Sequence, residues 1–231
     1  MFNKRQPPSN NPVSKCINFS FREQHLVLLP QKAVYWHNED ALMVADLHLG
    51  KAAHFRKNGI PVPAGVHRKD ILKLSGLINQ YTPSTLIILG DLFHSDLNNE
   101  WQLFSDFMLQ YPGLKCLLIK GNHDVLNESV YHAAGMEVHE TLETGPFIFS
   151  HEPLKQGYQG DLVNISGHVH PGIYLKAVGR TLPCFTFSDR ECLLPAFGSF
   201  TGFINHHPAK NAFIFPILSE GKHHQVIQLN S

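Results

Sequence analysis

The chain has no excess of charge of either sign. Lys+Arg and Asp+Glu stand at 19 each, for a formal net charge of zero. A protein that holds duplex DNA mainly through its phosphates shows a basic excess. Any nucleic-acid contact here is therefore local, or carried by metal ions or a partner. No Cys-x-x-Cys pair occurs among Cys16, Cys116, Cys184 and Cys192, which removes the usual sequence sign of a cysteine metal or redox site. Cys116 lies in an apolar run and reads as a small core residue. Cys184 and Cys192 are spaced to face each other across a hairpin, and all four are read as reduced thiols. No apolar stretch approaches the roughly 18 residues of a membrane span. Met1 to Asn11 is polar, rich in Pro and Asn, and lacks the apolar segment of a signal peptide. A cytoplasmic protein with no membrane contact is the expectation.

The 231 residues, 43% hydrophobic, suffice for one large domain with a full core. Residues 1–24 read as a flexible N-terminal arm and residues 25–231 as a single domain. Leu26 to Leu29, Ala33 to Trp36, Ala41 to Ala45, Thr85 to Leu89 and Cys116 to Ile119 are short apolar runs of strand length. Between them, Ile71, Leu74, Ile78 and Tyr81 mark an amphipathic helix over 66–81, and Trp101, Phe104, Met108 and Tyr111 mark another. Gly50 to Lys57 reads as the start of a short helix, ended by Pro61 and Pro63. After residue 136 the pattern is mostly strands: 136–142, 147–150, 162–166, 173–178, 182–187, 192–197, 212–218 and 225–229. A strand-helix-strand first half and a strand-rich second half predict two packed sheets with helices outside. There is no internal repeat.

Sixteen histidines are many for this length. His206, His207, His223 and His224 sit among polar residues and read as surface groups. Five others fall in short clusters: Asp46-Leu47-His48, Gly90-Asp91, Gly121-Asn122-His123-Asp124, His151, and Gly167-His168-Val169-His170. Nearly all follow a strand-like run. A lone Asp-x-His is most often a turn aspartate beside a core histidine. Five such clusters in this order are more oxygen and nitrogen donors than one ion needs, and enough for two. Two divalent ions about 3.5–4 Å apart form a clamp for phosphoryl displacement. Such a pair needs a shared anionic ligand to offset cation repulsion, and Asp91 at a strand end suits that role. Residues i and i+2 of an extended segment share a face, so Asp46 and His48, and likewise His168 and His170, can chelate around one centre.

The order Asp-x-His, Gly-Asp, Gly-Asn-His-Asp, His, Gly-His-x-His resembles the calcineurin-like metallophosphoesterase superfamily. The resemblance implies an α/β (α+β) fold, a four-layer αββα sandwich of two mixed sheets. It also implies that Asp46, His48 and His170 hold one metal and Asn122, His151 and His168 the other, with Asp91 bridging. His123 is then the catalytic histidine without a metal, with Asp124 orienting its imidazole. The flanking segments Val44 to Ala53, Phe55-Arg56, Gly59 to Pro63, Leu182 to Phe185 and Leu194 to Gly202 are similar to one bacterial branch, the ligase-associated DNA damage response endonucleases, PdeM. That likeness implies a nucleic-acid phosphodiester substrate and functional company with a DNA ligase, a helicase and a nuclease.

The expected activity is thus a phosphodiesterase, a DNA or RNA endonuclease of the DNA damage response, attacking with a hydroxide activated by two metals. Manganese is the first expectation, with iron or zinc as alternatives, since affinity order alone does not choose among them. Lys51, His54, Arg56 and His94 flank the clusters and are candidate substrate contacts. Two further readings stand beside this one: a hydrolase of a small phosphoester, such as a cyclic nucleotide or nucleotide pyrophosphate, and a non-catalytic scaffold. Intact Asn122, His123 and His168 argue against the scaffold.

Overall fold

The chain is described here from a computed structural model, over residues 14–51, 66–94, 97–155, 161–221 and 223–229. Two mixed sheets lie at its centre. The first has seven strands in sequence order: β2 (Ile17–Phe21), β3 (Gln24–Leu29), β4 (Ala33–Trp36), β5 (Ala41–Ala45), β6 (Thr85–Leu89), β7 (Lys115–Ile119) and β8 (Met136–His139). Strands β2 to β5 pair antiparallel, and β5 to β8 pair parallel.

The apolar runs of β5, β6 and β7 are continuous because this sheet is covered on both faces. Alternate side chains go to opposite sides. Leu42, Val44, Leu86, Ile88, Cys116 and Leu118 pack under the helices. Met43, Ala45, Ile87, Leu89, Leu117 and Ile119 pack against the second sheet. The helices are α1 (Val66–Tyr81), α2 (Asn99–Met108) and α3 (Glu128–Ala133). They turn Leu74, Leu77 and Ile78, then Trp101, Phe104 and Phe107, then Tyr131 onto that first core. Asn98 caps α2 by accepting from the amides of Glu100 and Trp101 at 2.8 and 3.4 Å. Among the described residues the outer face of the second sheet carries no helix.

The second sheet has ten strands in the order β1 (Ser14–Lys15), β17 (His223–Val226), β16 (Phe213–Glu220), β13 (Arg180–Phe187), β14 (Glu191–Leu193), β11 (Val163–Ser166), β10 (Phe147–Phe149) and β9 (Leu142–Thr144); β12 (Pro171–Leu175) pairs with β13, and β15 (Ile204–Asn205) with β12. Aromatic rings fill the space between the sheets. Trp36 meets Phe147 with centroids 5.1 Å apart, and Phe21 meets Phe187 at 5.4 Å.

Four expectations are corrected. The flexible arm expected over residues 1–24 is contradicted from Ser14 on, where β1 and then β2 lie. Ile17, Phe19 and Phe21 alternate inward, and burial of these side chains between the sheets holds the segment in place. Residues 1–13 lie outside the described residues. The strand expected over 136–142 is two strands in different sheets, β8 and β9. The strand expected over 192–197 stops at Leu193, and the chain then crosses to β5, with the Phe197 amide on the Ala45 carbonyl at 2.7 Å. Cys184 and Cys192 do not face each other: Cys184 lies opposite Pro216 and Cys192 opposite Phe187. All four cysteines are free. The helix expected from Gly50 to Lys57 lies, after Lys51, outside the described residues.

This topology serves one edge. Strands β5, β6 and β7 are parallel neighbours, as are β10 and β11 in the other sheet. The five C-terminal ends deliver Asp46, Asp91, Asn122, His151 and the His168–His170 segment. Open sheets place ligand sites beyond the carboxyl ends of their strands in this way.

Candidate metal centre

The loops after β5 and β6 continue to pair past their strands. The Asp46 amide donates to the Gly90 carbonyl at 3.2 Å and the His48 amide to the Asp91 carbonyl at 2.8 Å. Asp46, His48, Asp91, His168 and His170 nonetheless all sit at positive φ, between 48° and 62°. That region is unfavourable for residues with a side chain, and such outliers gather at functional sites. Glycines make the close approach possible. A Cβ on Gly121 would collide with the Asp91 amide and carboxylate. Gly90, at φ 69°, lies where a Cβ would run into the His151 ring.

Two groups of donors result. Asp46, His48 and His170 form one, and Asp91, His151 and His168 the other, with the donor atoms of each group within 4.8 Å of one another. Asp91 spans both: its Oδ1 is 3.4 Å from His151 Nε2, and its Oδ2 is 3.5 Å from His48 Nε2. Asn122 Oδ1 lies 3.0 Å from His151 Nε2, and His168 Nδ1 lies 3.1 Å from that same nitrogen. The His168 amide donates to both Asp46 carboxylate oxygens at 3.2 and 3.0 Å.

The donor set fits metal ions on two observations. First, His151 Nδ1 is 3.1 Å from the Leu89 carbonyl. A carbonyl only accepts, so Nδ1 carries the proton, and in the neutral ring Nε2 presents a lone pair inward. The Asp91 carboxylate and that lone pair, both acceptors, then converge at 3.4 Å, as two ligands of one cation would. Second, neither ring nitrogen of His48 has a hydrogen-bond partner, although the residue is 3% exposed. Burial first, and then the charges of Lys51, His170, His123 and His94, hold its pKa down to about 2. A neutral, buried, unpartnered imidazole is costly on its own and suited to ligation.

His123 stands at the rim. Its side chain is 41% exposed, and its amide donates to Asp91 Oδ1 at 3.0 Å. Its ring lies on that of His94, with centroids 3.9 Å apart. Asp124 is placed otherwise than the sequence reading had it. Its carboxylate accepts from the Phe93 amide at 3.0 Å and the Gly121 amide at 2.9 Å. It ties the loop after β6 to the loop after β7, and does not orient the His123 ring. Burial raises its pKa to about 6, against the pull of those two amides. Lys51 follows His48, its amide on the His48 carbonyl at 3.3 Å. His54 and Arg56 lie outside the described residues. Lys120 pairs with Glu128 at 3.4 Å. A cleft of about 380 Å³ adjoins Asn122 and His151 and is also lined by Glu140 and Glu152.

Two supports escaped the sequence reading. Asn164, buried in β11, accepts from the Leu154 amide at 2.9 Å and donates to the Ile148 carbonyl and Ser150 Oγ at 3.0 and 2.8 Å. It fixes the turn that carries His151. An amide within an otherwise apolar strand run was the available signal. Asp70 on α1, 1% exposed, accepts from Ser199 N at 2.9 Å and Ser199 Oγ at 2.6 Å. Lys73, 3.3 Å from Asp70, donates to the Phe197 carbonyl at 2.6 Å. The Gly198 amide in turn donates to the Asp46 carbonyl at 3.1 Å. Two charges three residues apart on the apolar side of a helix were the signal there.

The model of the family described as calcineurin-like phosphoesterase matches residues 41–210. Among solved structures, the chain is similar to Pseudomonas putida nuclease MPE, with 32% identity and a TM-score of 0.76, covering 87% of this chain and 96% of that one. It is also similar to Yfce, a phosphoesterase from E. coli, with 12% identity and a TM-score of 0.42, covering 76% and 86%. A comparison with curated proteins finds no match.

Proposed function

We propose a substrate class from a firm premise: the chain belongs to the calcineurin-like phosphoesterase family and is a phosphoester hydrolase. The proposal is that it is a metal-dependent phosphodiesterase acting on nucleic acid, an endonuclease of the DNA damage response. The observation that carries it is the meeting of five strand ends around two groups of converging carboxylates and imidazoles. The nuclease relative, 32% identical over most of both chains, supports nucleic acid as the substrate. The flanking segments support company with a DNA ligase, a helicase and a nuclease. Buried, unpaired Cys116, Cys184 and Cys192 support a reducing, cytoplasmic setting.

In this reading Asp46, His48 and His170 would hold one divalent ion and Asn122, His151 and His168 the other, with Asp91 shared. Manganese is the first choice. When bound, two such ions supply positive charge to phosphoryl oxygens and acidify water. The chain's own residues do the rest. Asp91, held against both groups, fixes their separation. The Leu89 carbonyl keeps His151 in the tautomer that faces inward. His123 at the open rim donates a proton to the departing oxygen as general acid, and Asp124 holds the two loops that place it. His94, against the His123 ring, and Lys51, beside His48, face the substrate phosphates.

The test offers the manganese-loaded protein a bis-aryl phosphodiester, single- and double-stranded DNA, RNA and a nucleotide-sugar pyrophosphate in parallel, with Asp91→Ala as the blank. Cleavage of nucleic acid that the blank lacks is expected. Cleavage of the pyrophosphate alone overturns the proposal. It would favour a small-phosphoester hydrolase, the reading that the zero net charge supports.

A further inference from the structure

Charge balances over the whole chain but not around one flank of the centre. Residues 162–188 and 192–219 contain no Asp or Glu, while Lys176, Arg180 and Lys210 fall within them. These segments supply β12, which leaves directly from His170, and β13 and β15, which pair with it. The Ile204 amide donates to the His170 carbonyl at 3.1 Å, and β12 begins at the next residue. The cleft beside Asn122 and His151 is lined by Glu140, Glu152 and Lys120, the last paired with Glu128. A polyanion crossing the centre is repelled there and accommodated along β12.

The β12 flank is also aromatic. Tyr174 is 54% exposed and Phe203 44%, beside Ile204 at 58%. Gly172 lacks a Cβ where one would come within 2.8 Å of Phe203 Cδ2, so the Phe203 ring lies close over the strand at that point. Tyr174 is two residues further on and shares the face of Gly172. Asn205 Oδ1 accepts from the Tyr174 amide at 3.2 Å and locks the two short strands together. Two rings thus share one rigid surface that begins at a residue of the centre and extends about 13 Å from His170 to Tyr174. Exposed aromatics on a surface that carries Lys176 two residues beyond Tyr174, in segments without a carboxylate, match the chemistry of unpaired bases on a phosphate backbone.

We propose that Tyr174 and Phe203 form a stacking platform for the unpaired bases of a single-stranded nucleic acid, positioning the strand across the centre. The inference rests on the nucleic-acid reading above and adds the surface on which the strand's bases are held. Duplex bases are already stacked on one another and offer the platform no free face. The enzyme therefore prefers single strands over duplex, and base-bearing strands over abasic ones.

The test measures cleavage of a single-stranded oligonucleotide and of the same backbone with an abasic tract, both by manganese-loaded protein. It also measures binding of each by fluorescence anisotropy. Wild type is expected to favour the base-bearing strand by roughly five- to a hundredfold per stacked base. Tyr174→Ala should bring that ratio towards one, and Tyr174→Phe should restore it. Phe203→Leu, which keeps the space over Gly172 filled, should lower the ratio without unfolding the protein. Variants that retain the wild-type ratio overturn the platform while leaving the nuclease reading intact. A wild type that cleaves the aryl diester but no nucleic acid overturns both. A wild-type dimer by light scattering that Tyr174→Ala converts to monomer overturns the platform too, since a second copy would then occupy this face.

Discussion

The imidazole of His151, which follows β10 in one sheet, is anchored on the carbonyl of Leu89, the last residue of β6 in the other, with Nδ1 3.1 Å from the oxygen. The two sheets therefore do more than share a core. A backbone group of the first sets the tautomer of a donor carried by the second. Gly90, next in the chain, leaves the room for that ring.

Gly90→Ala tests this relationship. The substitution adds a Cβ at φ 69° and drives it into His151. The conformation alone costs roughly 1–3 kcal/mol, which in a chain of this size lowers Tm by about 2–12 °C. Displacement of His151 should also lower bound metal per chain, read by elemental analysis after gel filtration. A folded Gly90→Ala protein with wild-type metal content would show that His151 is not held for ligation.

His123→Ala separates acid catalysis from metal binding. The side chain is at the rim, 41% exposed; its backbone amide donates to Asp91 at 3.0 Å, and its Nε2 stands 4.0 Å from the carboxylate, outside both donor groups. Metal content should be unchanged. Turnover should fall by about 10²–10⁴ on diesters with poor leaving groups and far less on aryl diesters, whose leaving group departs without a proton. Equal losses on both substrates would remove the general-acid role.

What could be read before folding follows from how local each signal is. The bounds of β5, α1 and β6 were legible at 41–45, 66–81 and 85–89 because each is a continuous or strictly periodic apolar run. The convergence of Asp46, His48 and His170, and of Asp91, His151 and His168, was legible because such side chains are unusual at strand ends. Asp124 was misassigned because its partners are the backbone amides of Phe93 and Gly121, and amides carry no sequence label. The inward alternation of Ile17, Phe19 and Phe21 was missed because polar residues separate the apolar ones and Asn- and Pro-rich sequence precedes them. The Asp70–Ser199 contact joins residues 129 apart in the chain, and no local pattern reports it.

That contact makes a prediction of its own. Asp70 is buried and Lys73, its partner, is a quarter exposed; removing one member of a fully buried pair costs about 3–5 kcal/mol, and water at Lys73 brings the cost here to roughly 1–3 kcal/mol. Asp70→Ala should lose stability on that scale in urea unfolding. Because Ser199 follows Gly198, whose amide holds the Asp46 carbonyl, Asp70→Ala should also weaken metal binding. The double variant Asp70→Asn/Lys73→Met, which removes both charges, should recover most of the stability. A double variant as unstable as Asp70→Ala would place the cost in the hydrogen bonds to Ser199 instead.

The same network predicts a pH dependence. Lys32, in the turn between β3 and β4, has its pKa lowered to about 8, by burial first and then by the charge of Lys73, with Asp70 opposing. The unfolded chain holds this proton up to its ordinary value of 10.5. Between pH 8 and 10.5 the unfolded state therefore binds more protons than the folded one, and the contribution of Lys32 to stability rises with pH across that window. Below pH 8 its full destabilising effect is present, at most about 3 kcal/mol from the size of the shift and about 1–2 kcal/mol after screening at a partly exposed site. Lys32→Met should accordingly be more stable than wild type at pH 7, by a rise in urea midpoint, and the difference should shrink towards zero by pH 10.5. Using the difference between the two proteins cancels the titration of tyrosines and other lysines in the same range. A constant difference across the window would mean that the gain comes from the packing of methionine rather than from the removed charge.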